Sequence, residues 1–142
     1  MGSTYTEKMK EAVRIAKGDG LVLVATSDER GTPHIGAGGG IEMEPDAKLA
    51  VTEWFCPTTL ENLTADPALS VVVWDRATDE GYQFLGRLER IQDMGVLDGL
   101  APGEENEPPL PQVLRKLVIE VEEVLAFKRG PHSDSALQVE RG

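Results

Sequence analysis

The sequence predicts a mainly β protein, a small closed or nearly closed antiparallel barrel with flanking short helices. Two observations carry this. Six apolar, β-branched runs succeed one another, most of them separated by tight turns, and only two short segments have helical character. The order is a helix, three strands, a short helix and three more strands, which is not a βαβ series. Sequential strands of this kind pair antiparallel, and closing the sheet removes its exposed edges. With 142 residues, the whole chain (1–142) is expected to form a single domain with a sizeable core.

The elements follow in order. Met9, Ala12, Val13 and Ala16 fall at helical spacing, with Thr4 and Glu7 offering a capping box and Gly18 a stop. Leu21 to Thr26 reads as a strand buried on both faces, because its residues are apolar without alternation. Asp28-Glu29-Arg30-Gly31 is a hairpin turn into a second strand from about Thr32 to Glu44. Pro45-Asp46-Ala47 turns the chain into a third strand, Leu49 to Phe55. A short helix from Thr59 to Ala65 ends at Asp66-Pro67, where proline restricts its neighbour. Leu69 to Trp74 and Tyr82 to Ile91 are the fourth and fifth strands, and Leu117 to Phe127 is the sixth. Alternation in the sixth stalls at Glu122-Glu123, which predicts a bulge or an exposed end. Between the last two strands, 93–112 is an acidic, Pro-rich surface excursion, densest from Asp98 to Gln112, where Pro102, Pro108, Pro109 and Pro111 accompany four acids. From 130 to 142 the chain is a polar C-terminal tail.

Composition narrows the function. Asp and Glu outnumber Lys and Arg by 25 to 14, a formal net charge of −11, which argues against a general binder of nucleic acid or of anionic membrane surfaces. Cys56 is the sole cysteine, so no internal disulfide forms. The N-terminal segment is charged and no apolar run reaches membrane-spanning length, so the cytoplasm is the expected location. His34, His132 and Cys56 share no ligand spacing, so no metal site is expected. A Gly-x-Ser-x-Gly elbow is absent as well.

Two patterns stand out chemically. In Thr52-Glu53-Trp54-Phe55-Cys56-Pro57-Thr58-Thr59, a strand runs through a Pro turn into a helix start, where backbone N–H groups and hydroxyls favour an anion such as a phosphate. The same residues also read as an ordinary capping box of Thr58 with Glu61. Gly36-Ala37-Gly38-Gly39-Gly40 inside the second strand marks either a sharply bent barrel corner or the close approach of a ligand. It is not a dinucleotide fingerprint, because no helix follows it.

With these pieces in place, the chain resembles the FMN-binding split-barrel superfamily, which includes the pyridoxamine 5′-phosphate oxidases and small FMN-binding proteins. The resemblance runs from about Gly20 to Phe127. It is carried by Val24-Ala25-Thr26 before Asp28 to Ile35, by Thr59-Leu60-Glu61-Asn62-Leu63 before Asp66-Pro67, and by Gly81-Tyr82 through Gly86-Arg87-Leu88-Glu89. It implies a six-stranded antiparallel split β-barrel acting as a homodimer, with FMN bound at the subunit interface. The second and third strands would flank the flavin and its ribityl chain, with the phosphate at the start of the short helix. Carried onto matching positions, the implied cofactor-binding residues are Ala37, Gly38 and Gly39, then Thr52, Glu53 and Trp54, then Thr58, Thr59 and Asn62, with Gln83 on the fifth strand.

The departures from the family pattern bear on chemistry. Many relatives place a Lys or Arg beside the Thr of the phosphate site, and here that position is Thr58. A dianion without a cation lacks one strong charge-assisted bond, for which Arg76, Arg87, Lys128 or Arg129 are candidate substitutes. The side-chain pattern that would grip pyridoxamine phosphate is not recognisable. The implied function is therefore an FMN-dependent oxidoreductase acting on an unidentified small molecule or electron partner, with no residue assigned as acid or base. Two alternatives stand beside it: a non-catalytic binding or regulatory module without flavin, and a deazaflavin-dependent reductase.

Overall fold

The chain opens with helix α1, Thr6–Lys17, which buries Met9, Ala12 and Ile15 and rests Val13 and Ala16 against the same core. The structure, a computed structural model, describes residues 5–53, 57–97, 112–131 and 135–139. Tyr5 is the N-cap of α1 and makes no side-chain cap bond; Thr4 of the expected capping box lies outside the described residues. At the other end the Gly18 N–H donates to the carbonyls of Arg14 and Ile15 and closes the helix.

Strands β1 (Leu21–Ser27), β2 (Pro33–Gly38), β3 (Gly40–Glu44), β4 (Lys48–Glu53), β5 (Ala68–Asp75), β6 (Glu80–Leu97) and β7 (Gln112–Ala126) form one antiparallel sheet, ordered β2-β1-β5-β6-β7-β4-β3. The strand count is thus seven rather than the six expected. The expected second strand breaks at Gly39, because β2 pairs with β1 whereas β3 pairs with β4 on the opposite edge of the sheet. Gly39 therefore joins the two edges, curling the sheet around its core without a ladder between β2 and β3. Helix α2, Pro57–Ala65, follows β4 and packs on β1 and β2.

The core consists of Val22 and Val24 from β1, Val71 and Val73 from β5, Phe84 from β6 and Leu117, Ile119 and Val124 from β7. Ile41, Leu49 and Val51 complete it, with α1 across them. β1 is buried on one face only, contrary to the two-faced burial expected. Val22, Val24 and Thr26 point inward, while Leu21 is 51% exposed, because no second layer covers the other face in the isolated chain.

The β1–β2 turn forms where predicted. Asp28 Oδ1 accepts the backbone N–H groups of Arg30 (2.8 Å) and Thr32 (2.9 Å), and Gly31 takes the left-handed φ of 81° that favours glycine. The predicted irregularity near Glu122 is a bulge: Leu85 faces Glu123 and Gly86 faces Val121, leaving Glu122 over. Two further register shifts leave Glu89 and Met94 unpaired on β6.

Two boundaries differ from expectation. The excursion expected over 93–112 begins later, because β6 continues to Leu97 and pairs with β7 from Gln112; residues 98–111 lie outside the described set. The bulges hide this extension, since each one resets the alternation that marks a strand. The expected polar tail also contributes to the fold. Ala136 bridges Leu125, the Leu137 N–H donates to the Val124 carbonyl (2.8 Å), and Leu137 packs against the core.

Candidate functional site

Helix α2 begins at Pro57, two residues before the Thr59 start expected. Proline suits the first helical position, where its missing N–H has no partner to lose. Thr58 and Thr59 consequently lie inside the first turn, and Thr58 is not an N-cap. Thr58 is exposed, whereas Thr59 is 1% and Asn62 6% exposed. Asn62 Nδ2 donates to Thr26 Oγ1 at 3.0 Å, tying the helix to β1. The Thr59 hydroxyl lies against β2, where a Cβ added at Gly36 would stand 3.1 Å from it. The neighbouring His34 Cε1 lies 3.9 Å from that same point, and His34 Nδ1 is buried without a hydrogen-bond partner among the described residues.

The glycine run has a separate explanation at each position. A Cβ at Gly38 would come within 2.9 Å of both Val22 and Val51, so β1 and β4 close on β2 from its two sides. A Cβ at Gly39 would collide with the Glu53 carboxylate, and one at Gly40 would lie 2.9 Å from Thr52 Oγ1. The Gly39 N–H donates to the Thr52 carbonyl at 3.1 Å. The bent-corner reading thus accounts for Gly38 to Gly40 by contacts within the chain. Ala37, between two of the glycines, points outward and is exposed.

The ladder register distributes the predicted residues. Gly38 and Gly39 meet Thr52 and Glu53 at the β2–β3 corner, and β4 leads from there to α2, which carries Thr58, Thr59 and Asn62. Trp54 lies outside the described residues. Gln83 is elsewhere. Along the row Ala37–Leu23–Val72–Gln83 it shares the outer sheet face with Ala37, three strands away, and its Nε2 donates to Ser70 Oγ at 2.8 Å. That outer face is largely apolar over β1, β2, β5 and β6. Ile35, opposite Ala25, is 66% exposed and Leu21, at the start of β1, 51%, while Leu23, Ala25, Val72, Trp74 and Leu85 are half-buried.

The sequence reading missed two cations on β7. Lys116 and Arg115 are the ladder partners of Thr52 and Glu53. Lys116 is buried, with its ammonium 3.1 Å from Glu44 and 3.8 Å from Glu42. Arg115 Nε donates to Asp93 at 3.1 Å. Their signal in the sequence is a pair of basic residues directly before the apolar run Leu117-Val118-Ile119. A surface cleft of about 720 Å³ between the β1–β2 turn and α2 meets the predicted set only at Asn62. Asp28, Glu29 and Glu61 line it against a single Arg30, the wrong balance for a phosphate.

Comparison with known proteins gives the family and the fold. A search of curated proteins finds no match. HupZ of Group A Streptococcus shares the fold with a TM-score of 0.59 at 22% identity, covering 91% of this chain and 97% of that one. An F420 reductase does so at 0.52 and 17% identity, covering 78% and 93% respectively. A Clostridium acetobutylicum protein related to general stress protein 26, of the pyridoxinephosphate oxidase family, gives 0.52 at 16% identity, covering 87% and 90%. The family model described as pyridoxamine 5′-phosphate oxidase matches residues 6–127, from the first helix to the end of the barrel. The chain therefore belongs to the pyridoxamine 5′-phosphate oxidase family, on a split-barrel-like fold.

Proposed function

We propose that this chain is an FMN-binding oxidoreductase whose cofactor lies where β2 passes into β3 and β4 leads to α2. The observation that carries the reading is the convergence of the Gly39–Gly40 corner, the strand end Thr52–Glu53 and the exposed Thr58 in the first turn of α2. The strand end offers polar groups to a flavin and its ribityl chain, and a helix start favours the phosphate. Thr58 and the first N–H groups of α2 would hold the phosphate, while Thr59 and Asn62 fix the helix against β1 and β2 from behind. When bound, the flavin supplies the redox chemistry, and the chain supplies orientation and electrostatics.

The reading includes a homodimer formed through the apolar outer face of β1, β2, β5 and β6, which carries Ala37 and Gln83. In that arrangement Gln83 would serve the partner's cofactor rather than its own. A deazaflavin cofactor is the second reading, supported by the F420 reductase that shares the fold. The net charge of −11 weighs against that longer polyanion.

The visible spectrum of freshly purified protein, with mass analysis of the released ligand, tests the assignment. Flavin absorbance and the mass of FMN are expected. A deazaflavin mass would establish the second reading, and a colourless protein that gains no flavin absorbance when FMN is added would favour a flavin-free module.

A further inference from the structure

We infer that Arg115 on β7 is the cation of the cofactor's anionic end, the role for which the sequence offers no residue beside Thr58; the inference rests on the flavin reading above. The register brings Arg115 to this corner. Its ladder partner is Glu53, the last residue of β4, from which the chain enters α2 at Pro57. In adjacent antiparallel strands such partners lie about 4.5–5.5 Å apart. Arg115 has the same strand parity as Leu117 and Ile119, so its side chain emerges on the core-facing side of β7, beside the end of β4.

The guanidinium is held but not consumed. Asp93, its ladder partner on β6, accepts from Nε at 3.1 Å and is the sole partner of Arg115 among the described residues. Neither Nη group has an acceptor among the described residues, which leaves both for a ligand. A guanidinium anchored through Nε presents its remaining donors as a fixed fork, the geometry that suits a phosphate. The Asp93 side chain is 66% exposed, so this pair is a weak anchor that does not compete strongly with a dianion.

The neighbouring cations of β4, β6 and β7 and the candidates named from sequence are committed or placed elsewhere. Lys116 is enclosed by Glu42 and Glu44, Lys48 pairs with Glu89, and Arg90 lies between Glu44 and Glu89. Of the candidates named from sequence, Arg76 and Arg129 share a cleft with Asp19 and Asp75, Lys128 lines another beside Glu7 and Glu80, and Arg87 stands opposite Ala68, past the C-terminal end of α2.

Calorimetric titration of the apoprotein with FMN and with riboflavin, at two salt concentrations, tests the inference. Arg115→Gln is expected to weaken FMN by about tenfold or more and riboflavin by less than about twofold, and to flatten the salt dependence of FMN binding. Arg76→Gln is expected to leave both affinities unchanged. Should Arg115→Gln fail to fold, Arg115→Lys carries the test, with weaker FMN binding at unchanged riboflavin affinity. Equal weakening of both ligands, or unchanged FMN binding, overturns the role of Arg115 and leaves the flavin reading standing. Wild-type protein that binds neither ligand overturns both.

Discussion

Thr58 and Thr59 are adjacent in sequence and opposite in exposure, and this separates their predicted effects. Thr58→Val removes an exposed hydroxyl from the first turn of α2. We expect it to weaken FMN by roughly tenfold at nearly constant Tm, because it deletes about one charge-assisted hydrogen bond. Thr59→Val alters a buried hydroxyl against β2 and is expected to lower Tm while changing FMN and riboflavin affinity alike. Melting curves and paired titrations separate the two, and loss of FMN affinity confined to Thr59→Val would reverse the assignment. The sequence showed that a Thr pair opens a helix, but which Thr faces solvent depends on where the helix begins. Pro57 sets that start two residues early. A second residue-scale prediction concerns Ala47, whose φ of 56° is left-handed. Ala47→Gly relieves that strain and is expected to stabilise the β3–β4 turn by about 1 kcal/mol, visible as a higher Tm.

At the level of elements, the chain leaving β7 is held at Arg129 and Gly130 by one carboxylate. Asp79 Oδ1 accepts the backbone N–H of Arg129 at 2.7 Å and the Trp74 indole N–H at 3.0 Å, and Oδ2 accepts the Gly130 N–H at 3.1 Å. These bonds, the one from Arg129 foremost, hold the Asp79 carboxyl below the usual carboxylate range. The folded pKa is depressed, so the contribution is present above the ordinary Asp value and is lost as pH falls through the lowered one. Amide exchange at Arg129 and Gly130, read relative to the core, should therefore gain an added acceleration as pH falls through the carboxylate range. Asp79→Asn should remove that component; if it persists in the variant, another group latches the segment. Trp74 packs edge-on against Phe127 at 5.9 Å, so its fluorescence reports the same release. This latch was not legible in the sequence, where 130–142 reads as a polar tail, because an Asp in a turn gives no sign of which distant N–H groups it will accept. The strands themselves were legible wherever an apolar run is unbroken, as in Leu21 to Thr26 of β1, although that run hides which face is buried. They were not legible past the bulges at Glu89 and Met94, nor at Gly39, where the break follows from a change of pairing partner rather than from local propensity.

At the scale of the whole molecule, the face of β1 predicted to be buried is uncovered in one chain, and a second copy would restore the expected burial. Ile35, Leu21 and the half-buried Leu23, Val72 and Leu85 form a patch of the kind that stable homodimers bury. Sedimentation equilibrium at low micromolar concentration should give twice the 15.4 kDa chain mass, and Ile35→Asp should shift the population toward the single chain. A wild-type monomer would contradict the interface and would remove Gln83 from the cofactor site. This acidic chain, on a split-barrel-like fold, is expected to bind FMN, and isothermal titration of the apoprotein with FMN measures that binding. Saturable binding to an equimolar complex of FMN and chain, tighter than for riboflavin, is the predicted result; no heat of binding at saturating FMN, with the protein folded throughout, would contradict it.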